Sequence, residues 1–267
     1  MNQCFSVLIS VYKNDKPEDF KKALTSISIN QTLQPTEIVL VVDGLITPEL
    51  NKVILDFNNL NVYRLDKNFG LGYALNFGLS KTNYELIARM DSDDIAHPKR
   101  FEKQLPIIQK GEVAILGSNI EEFNNEIGDL KQYREMPSDY DLINKFKLSR
   151  NPFNHMTVMF KKTIVTKVGG YKDMPGYEDY YLWMRLLLKH KGENLNENLV
   201  YARIGNNMFG RRQGFSFFKK EIKFQKTLYS EKLINKNHFY KNIIFRGITR
   251  LFPKSILSFI YKSFLRN

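Results

Sequence analysis

The segment ARMDSDD places Asp91, Asp93 and Asp94 directly after an apolar run, LIARM. Carboxylates this close repel one another, and leaving them unpaired in a cleft is costly. A divalent cation removes that cost. Carboxylate oxygens are hard ligands suited to Mg²⁺ or Mn²⁺, which keep waters and bind substrate phosphates as well. A solvated acidic turn capping a helix that opens near Pro98 is the plainer alternative. The spacing is not that of an EF-hand, because the glycine and the distal glutamate are missing from their places. A second acidic pair, Glu178 and Asp179 in GYEDYYLWMRL, follows the turn residues Pro175 and Gly176. Acids at a helix N-terminus complement its dipole. One of the two could equally be a general base that takes a proton from a weakly nucleophilic hydroxyl.

Other candidates are less specific. Asp43 ends an apolar run in VVDG; it can accept hydrogen bonds from a nucleobase NH or a ribose hydroxyl, or simply form an Asp-Gly turn. In NFGLGYALNFGL, from Asn68 onward, Gly70 and Gly72 let backbone approach a bound ligand, or are packing glycines. There is no GxGxxG fingerprint and no GxxxxGK[ST], which argues against dinucleotide and P-loop sites. His155 could meet a ligand or be a satisfied structural residue. Arg203 could pair with a diphosphate or with a carboxylate of the protein.

These side chains need a frame that brings strand tips to one edge. Apolar runs at residues 5–12, 37–44, 62–65 and 84–91 read as strands. Helical spans at 17–31, 48–57, 72–80 and 98–110 separate them, with Pro48 suited to a first turn. Apolar strands alternating with helices predict an α/β fold, a mainly parallel Rossmann-like sheet covered on both faces. In such sheets ligands bind at the carboxyl edge, where Asp43 and the 91–94 cluster fall. Beyond residue 111 the pattern is less regular, with extended runs at 112–123, 156–160 and 199–204 and helices at 139–150 and 179–190.

The net charge of +12 is localised. Residues 211–267 carry 14 Lys+Arg and 2 Asp+Glu, which leaves 26 of each sign in residues 1–210. A nucleic-acid enzyme usually sets its basic patch near its chemistry, whereas this body is balanced. The tail interleaves basic with aromatic and aliphatic residues at roughly helical spacing. Such helices can lie on an anionic membrane surface, pack on the body, or form a homo-oligomer interface. The single Cys4 can form no internal disulfide. The N-terminus lacks a basic leader, and no apolar run reaches the roughly 18–20 residues a spanning helix needs. The expectation is a cytoplasmic protein held peripherally at the inner face of the cell membrane.

Together, SVLISVYKND, EIVLVVDG, NFGLGYALNFGL, ARMDSDD followed by HPKRFEKQ, KVGGY and GYEDYYLWMRL resemble, in order and spacing, the family-two inverting glycosyltransferases of the GT-A fold that build bacterial polysaccharide, capsule and lipopolysaccharide. The resemblance runs from about Phe5 to Arg203. It implies a GT-A catalytic domain over 1–210, with a nucleotide-sugar half (1–110) and an acceptor half (111–210), then a basic helical tail over 211–267. It implies transfer of a hexose or N-acetylhexosamine from a UDP-sugar to a glycan or lipid-linked glycan. Asp43 would contact the base, and Val11, Tyr12 and Asn14 would line the nucleotide pocket with Asn68, Gly70, Gly72 and Ser92. Asp91 and Asp93 would form the DxD motif, Asp93 binding Mn²⁺ or Mg²⁺ directly and Asp91 lying nearer the ribose, with Asp94 beside them. Asp179 would be the catalytic base, and Glu178 would support it or touch the acceptor. Many members carry a His shortly after the YxR segment; here Tyr201 and Arg203 are followed by IGNNM. Two competing functions are a carbohydrate-binding scaffold that keeps the fold without the chemistry, and a metal-dependent nucleotidyltransferase. The second leaves the Glu-Asp helix unexplained.

Overall fold

The computed structural model describes residues 4–204 and 214–247. Expectations for residues 205–213 and 248–267, including the loop after Ile204 and the last part of the tail, lie outside the described residues.

The first half alternates as its apolar runs require: β1 (Ser6–Val11), α1 (Pro17–Ile27), β2 (Glu37–Val42), α2 (Pro48–Leu55), β3 (Leu60–Arg64), α3 (Leu71–Lys81) and β4 (Leu86–Met90). Side chains alternate across a strand. In β1, Val7, Ile9 and Val11 accordingly pack with Phe20 and Leu24 of α1, Leu50 of α2 and Phe101. Leu8 faces the other layer, with Ala74 and Leu75 of α3 and with Leu182 and Trp183. Helix α1 stops at Ile27 rather than running to residue 31, because Ser28 leaves the helical region at φ −119°, ψ −100°. Gln31 then folds back, donating from Nε2 to the Ser26 carbonyl at 2.7 Å and the His97 carbonyl at 2.9 Å.

The second half runs β5 (Ile95–Ala96), α4 (Arg100–Gln109), β6 (Ile115–Phe123), β7 (Gln132–Arg134), α5 (Tyr140–Phe146), a 3-10 turn (His155–Thr157), β8 (Met159–Lys161), α6 (Lys162–Lys167), α7 (Glu178–Leu186) and β9 (Gly192–Arg203). Nine strands form one sheet, in the order β3-β2-β1-β4-β8-β6-β9-β5, with β7 paired to β6. β1 pairs in parallel with β2 and β4, β2 with β3, and β6 with β9. The β4–β8, β6–β8, β5–β9 and β6–β7 pairs are antiparallel. The sheet is therefore mixed, which corrects the expectation of a mainly parallel one. β8 enters between β4 and β6 and runs against both, so the parallel order ends at β4.

After β9 come α8 (Gly214–Ser230), α9 (Lys236–Asn242) and a π turn (Ile243–Gly247). α8 divides its faces. Phe217, Phe224 and Leu228 pack with Leu233 and Ile234 onto Tyr177, Tyr180, Tyr181 and Met184 of the α7 region. Lys219, Lys220, Lys223 and Lys226 point to solvent. The first basic helix thus packs on the body through its apolar side. Among the described residues no helix is long and apolar enough to cross a membrane.

Candidate active site

The tips of β1, β2 and β4 and the N-terminus of α7 line one cavity of about 570 Å³. Asp91, Asp93 and Asp94 line it, and so do Glu178 and Asp179. Val11, Tyr12, Asp43, Asn68, Gly70 and Ser92 line it as well. Asn14 and Gly72 are not among its lining residues. Asn14 is exposed, and its neighbour Asp15 takes the place on the wall. Gly72 sits behind the wall, where an added Cβ would stand 3.3 Å from Cγ of Glu178.

Asp15 ties two loops together. One of its carboxylate oxygens accepts from the Tyr12 backbone N–H at 3.0 Å and from the Ser92 hydroxyl at 2.9 Å. Asp43 does the same between β2 and α3. Its two oxygens accept the backbone N–H of Phe69 at 2.8 Å and of Gly70 at 2.9 Å. Gly44 lets the chains approach there: its φ is +86°, and a Cβ would lie 2.6 Å from the Asn68 nitrogen. At that φ, and with a backbone atom in the way, a side chain does not fit.

The acidic cluster is not three equivalent carboxylates. Asp94 is buried and accepts the Arg203 backbone N–H at 2.8 Å, holding the end of β9 to the turn. Asp91 pairs with the guanidinium of Arg89, itself buried in β4. Asp93 is pushed up to about 6, first by desolvation and then by the charges of Asp91 and Asp15. Arg203 forms an ion pair with Asp19 at 2.9 Å and donates from Nε to the Asp93 carbonyl at 3.2 Å, so it braces the turn.

Among the described residues, no group of three or more His, Cys, Asp and Glu side chains is arranged to hold a metal ion. Mg²⁺ and its relatives do not demand such a cage; they are commonly held by one or two carboxylates plus waters and substrate phosphates. Asp91 and Asp93 offer that smaller set on the cavity wall, and their mutual repulsion is the kind a cation relieves. The residues present fit a hard divalent ion.

At the start of α7, Asp179 accepts from Nδ2 of Asn151 at 2.7 Å. Glu178 accepts the Gly176 backbone N–H at 2.8 Å, and desolvation, then Asp179, raises its pKa. His155 also lines the cavity; its Nε2 is 2.9 Å from the Tyr171 hydroxyl. Desolvation, then Arg89, holds the imidazole well below its usual range, so it is neutral at pH 7. Sequence reasoning missed Asp15, Arg89, Asn151 and Phe217. Asp15 carried a signal, an acid at the end of the KND turn. Arg89 hid as a charged residue within a buried strand. Asn151 and Phe217 reach the site only through tertiary packing.

Residues 6–173 match the family described as Glycosyl transferase family 2. The chain is 40% identical to UDP-Gal:alpha-D-GlcNAc-diphosphoundecaprenol beta-1,3-galactosyltransferase of Escherichia coli, over 98% of this chain and 96% of that protein. It is 38% identical to the amylovoran biosynthesis glycosyltransferase AmsE of Erwinia amylovora, over 97% of this chain and 98% of that protein. In fold it is similar to S. aureus TarS solved in complex with UDP-GlcNAc, with a TM-score of 0.67 at 18% identity over 92% of this chain and 72% of that one. A family match over most of the body, and relatives this similar from end to end, make the chain a glycosyltransferase belonging to glycosyl transferase family 2.

Proposed function

We propose that this transferase moves a hexose or N-acetylhexosamine from a UDP-sugar to a hydroxyl of a glycan or lipid-linked glycan, with inversion at the anomeric carbon and with Mn²⁺ or Mg²⁺ bound. The observation that carries this reading is that the 91–94 acids and the Glu178–Asp179 pair line one cavity. Its volume of about 570 Å³ lies within the range of small-molecule sites.

Val11, Tyr12, Asp15 and Asp43 form the nucleotide side of that cavity. The Asp43 oxygens each keep a lone pair beyond their bonds to Phe69 and Gly70, enough to accept from a base NH. Gly70 brings backbone close to the donor. Asp91 and Asp93 would hold the cation, with Asp91 nearer the ribose. A bound cation would neutralise charge on the departing diphosphate. Asp179, oriented by Asn151, takes the proton of the acceptor hydroxyl as that oxygen attacks the anomeric carbon from the face opposite the diphosphate. Glu178 supports the same turn. A single displacement of this kind inverts the centre.

The name of the Escherichia coli relative makes UDP-galactose the first donor to try and a diphosphoundecaprenol-linked sugar the first acceptor. Purified protein is expected to release UDP from one UDP-sugar, with activity lost in EDTA and restored by Mn²⁺. Pyrophosphate release in place of UDP would instead make it a nucleotidyltransferase.

A lipid-linked acceptor places the enzyme at a membrane surface. The exposed lysines of α8, with Phe215 and Tyr229 also exposed, support peripheral binding to anionic lipid. Flotation with phosphatidylglycerol vesicles should recover the protein, and added salt should release it. Equal recovery with phosphatidylcholine vesicles would remove the electrostatic part of the reading.

A further inference from the structure

The first turn of α7 carries Glu178 and Asp179, yet its own sequence does little to fix it. The residue before the helix, Tyr177, makes no side-chain capping bond, and Gly176 sits at φ +88°. Beyond the bond from the Gly176 N–H to Glu178, the restraint comes from outside. The Tyr177 ring stacks on Phe224 of α8, with centroids 4.5 Å apart and planes 11° from parallel. The Tyr177 hydroxyl donates to Oε2 of Glu221 at 2.6 Å. Glu221 is fully buried, where an unpaired carboxylate would be costly. It is paired: Nε of Arg246 donates to its Oε1 at 3.0 Å, and Nε2 of Gln225 does so at 2.9 Å.

Arg246 also reaches the segment before Asn151, the partner of Asp179. Its Nη1 donates to the Ser149 carbonyl at 2.7 Å. Two residues later, Asn151 donates to Asp179. Asn242 reinforces this arm, donating from Nδ2 to the Leu148 carbonyl at 2.8 Å and to Oε1 of Gln225 at 3.0 Å. Two chains of contacts therefore leave one buried ion pair and meet at Asp179, one through Tyr177 and one through residues 149–151.

We propose that the buried Glu221–Arg246 pair, supplied by the C-terminal segment, is a positioning device that sets the Asp179 carboxylate against the acceptor hydroxyl. The inference rests on Asp179 being the base. Glu221 and Arg246 are not among the residues that line the cavity. They act through Tyr177 and Asn151, and a misplacement of about 1 Å at a reacting group can lower a rate about 10²-fold.

Tyr177→Phe tests this with little risk to the fold. It keeps the ring stack and the Glu221–Arg246 pair and removes one hydroxyl. The expected result is a kcat lower by about tenfold or more, with unchanged donor KM and an unchanged thermal midpoint. Glu221→Gln alone would strand the Arg246 charge and could unfold the protein. The paired change E221Q with R246Q removes both charges, and it should show the same kcat defect with normal donor KM. Adding Tyr177→Phe to that pair should lower kcat little further, because all three act through one unit. A normal kcat in Tyr177→Phe overturns the proposal. So does a kcat loss that comes with raised donor KM and a lowered midpoint, which would be general loosening. Asp179→Asn, run alongside, separates the layers. If it transfers normally, the base assignment fails and the positioning role fails with it. If it is inactive while Tyr177→Phe is normal, only the positioning role is lost.

Discussion

Asp179→Asn is expected to bind the UDP-sugar with near-normal affinity while transfer falls by about 10²–10⁴-fold, the usual worth of a positioned acid or base. The side chain stands on α7, a different element from the β4 tip that carries Asp91 and Asp93, so donor and cation contacts should survive. The amide keeps the shape but cannot take the acceptor proton. Isothermal titration with UDP, beside a transfer assay under saturating acceptor, separates the two quantities. Near-normal transfer by the variant would reject the base assignment and return Asp179 to a helix-end acid of the ordinary kind.

Asp93→Ala should act on the other half of the reaction. Removing this carboxylate is expected to weaken Mn²⁺-dependent donor binding by about 10²-fold or more, since a metal in such a site supplies several kcal/mol of charge stabilisation. Of the two proposed ligands, Asp93 carries the larger share of that task. Asp94 is bound to the Arg203 backbone, and Asp91 shares its charge with Arg89. The measurement is donor affinity with and without Mn²⁺. If the Mn²⁺ dependence of the variant equals that of the parent, Asp93 is not a ligand.

The outline of the fold was legible where burial dictates the pattern. β1, β2 and β4 are covered on both faces, so their apolar runs and the acids at their tips stood out. Strands β5 and β7 are two and three residues long and carry no periodicity of their own. The first part of β9, GENLNEN, is polar; it is extended because the β6 ladder pairs with it in parallel. β8 was foreseen as a strand, but its direction depends on a neighbour distant in sequence.

The site divides in the same way. Sequence placed Asp43, Asp91, Asp93, Asp94, Glu178 and Asp179, because a strand tip or a helix start marks each of them. It could not assign Asp94 to its bond with Arg203, nor see that Asp15 rather than Asn14 reaches the wall. Those facts depend on side-chain direction at a turn. The described part of the tail, residues 214–247, was legible as helical and basic, but its inward face was not. Glu221, an acid in a run of lysines, would pass for a surface charge in any local reading, yet it is fully buried against Tyr177.

The mixed sheet has a mechanical consequence. β4, β8 and β6 are adjacent strands in one hydrogen-bonded ladder. The strand that leads into Asp91 is thus hydrogen-bonded into the frame on which α7 packs. Large closures need a hinge, or packed layers free to shear. Within the described residues, drawing the two acidic turns apart would work against those ladder bonds.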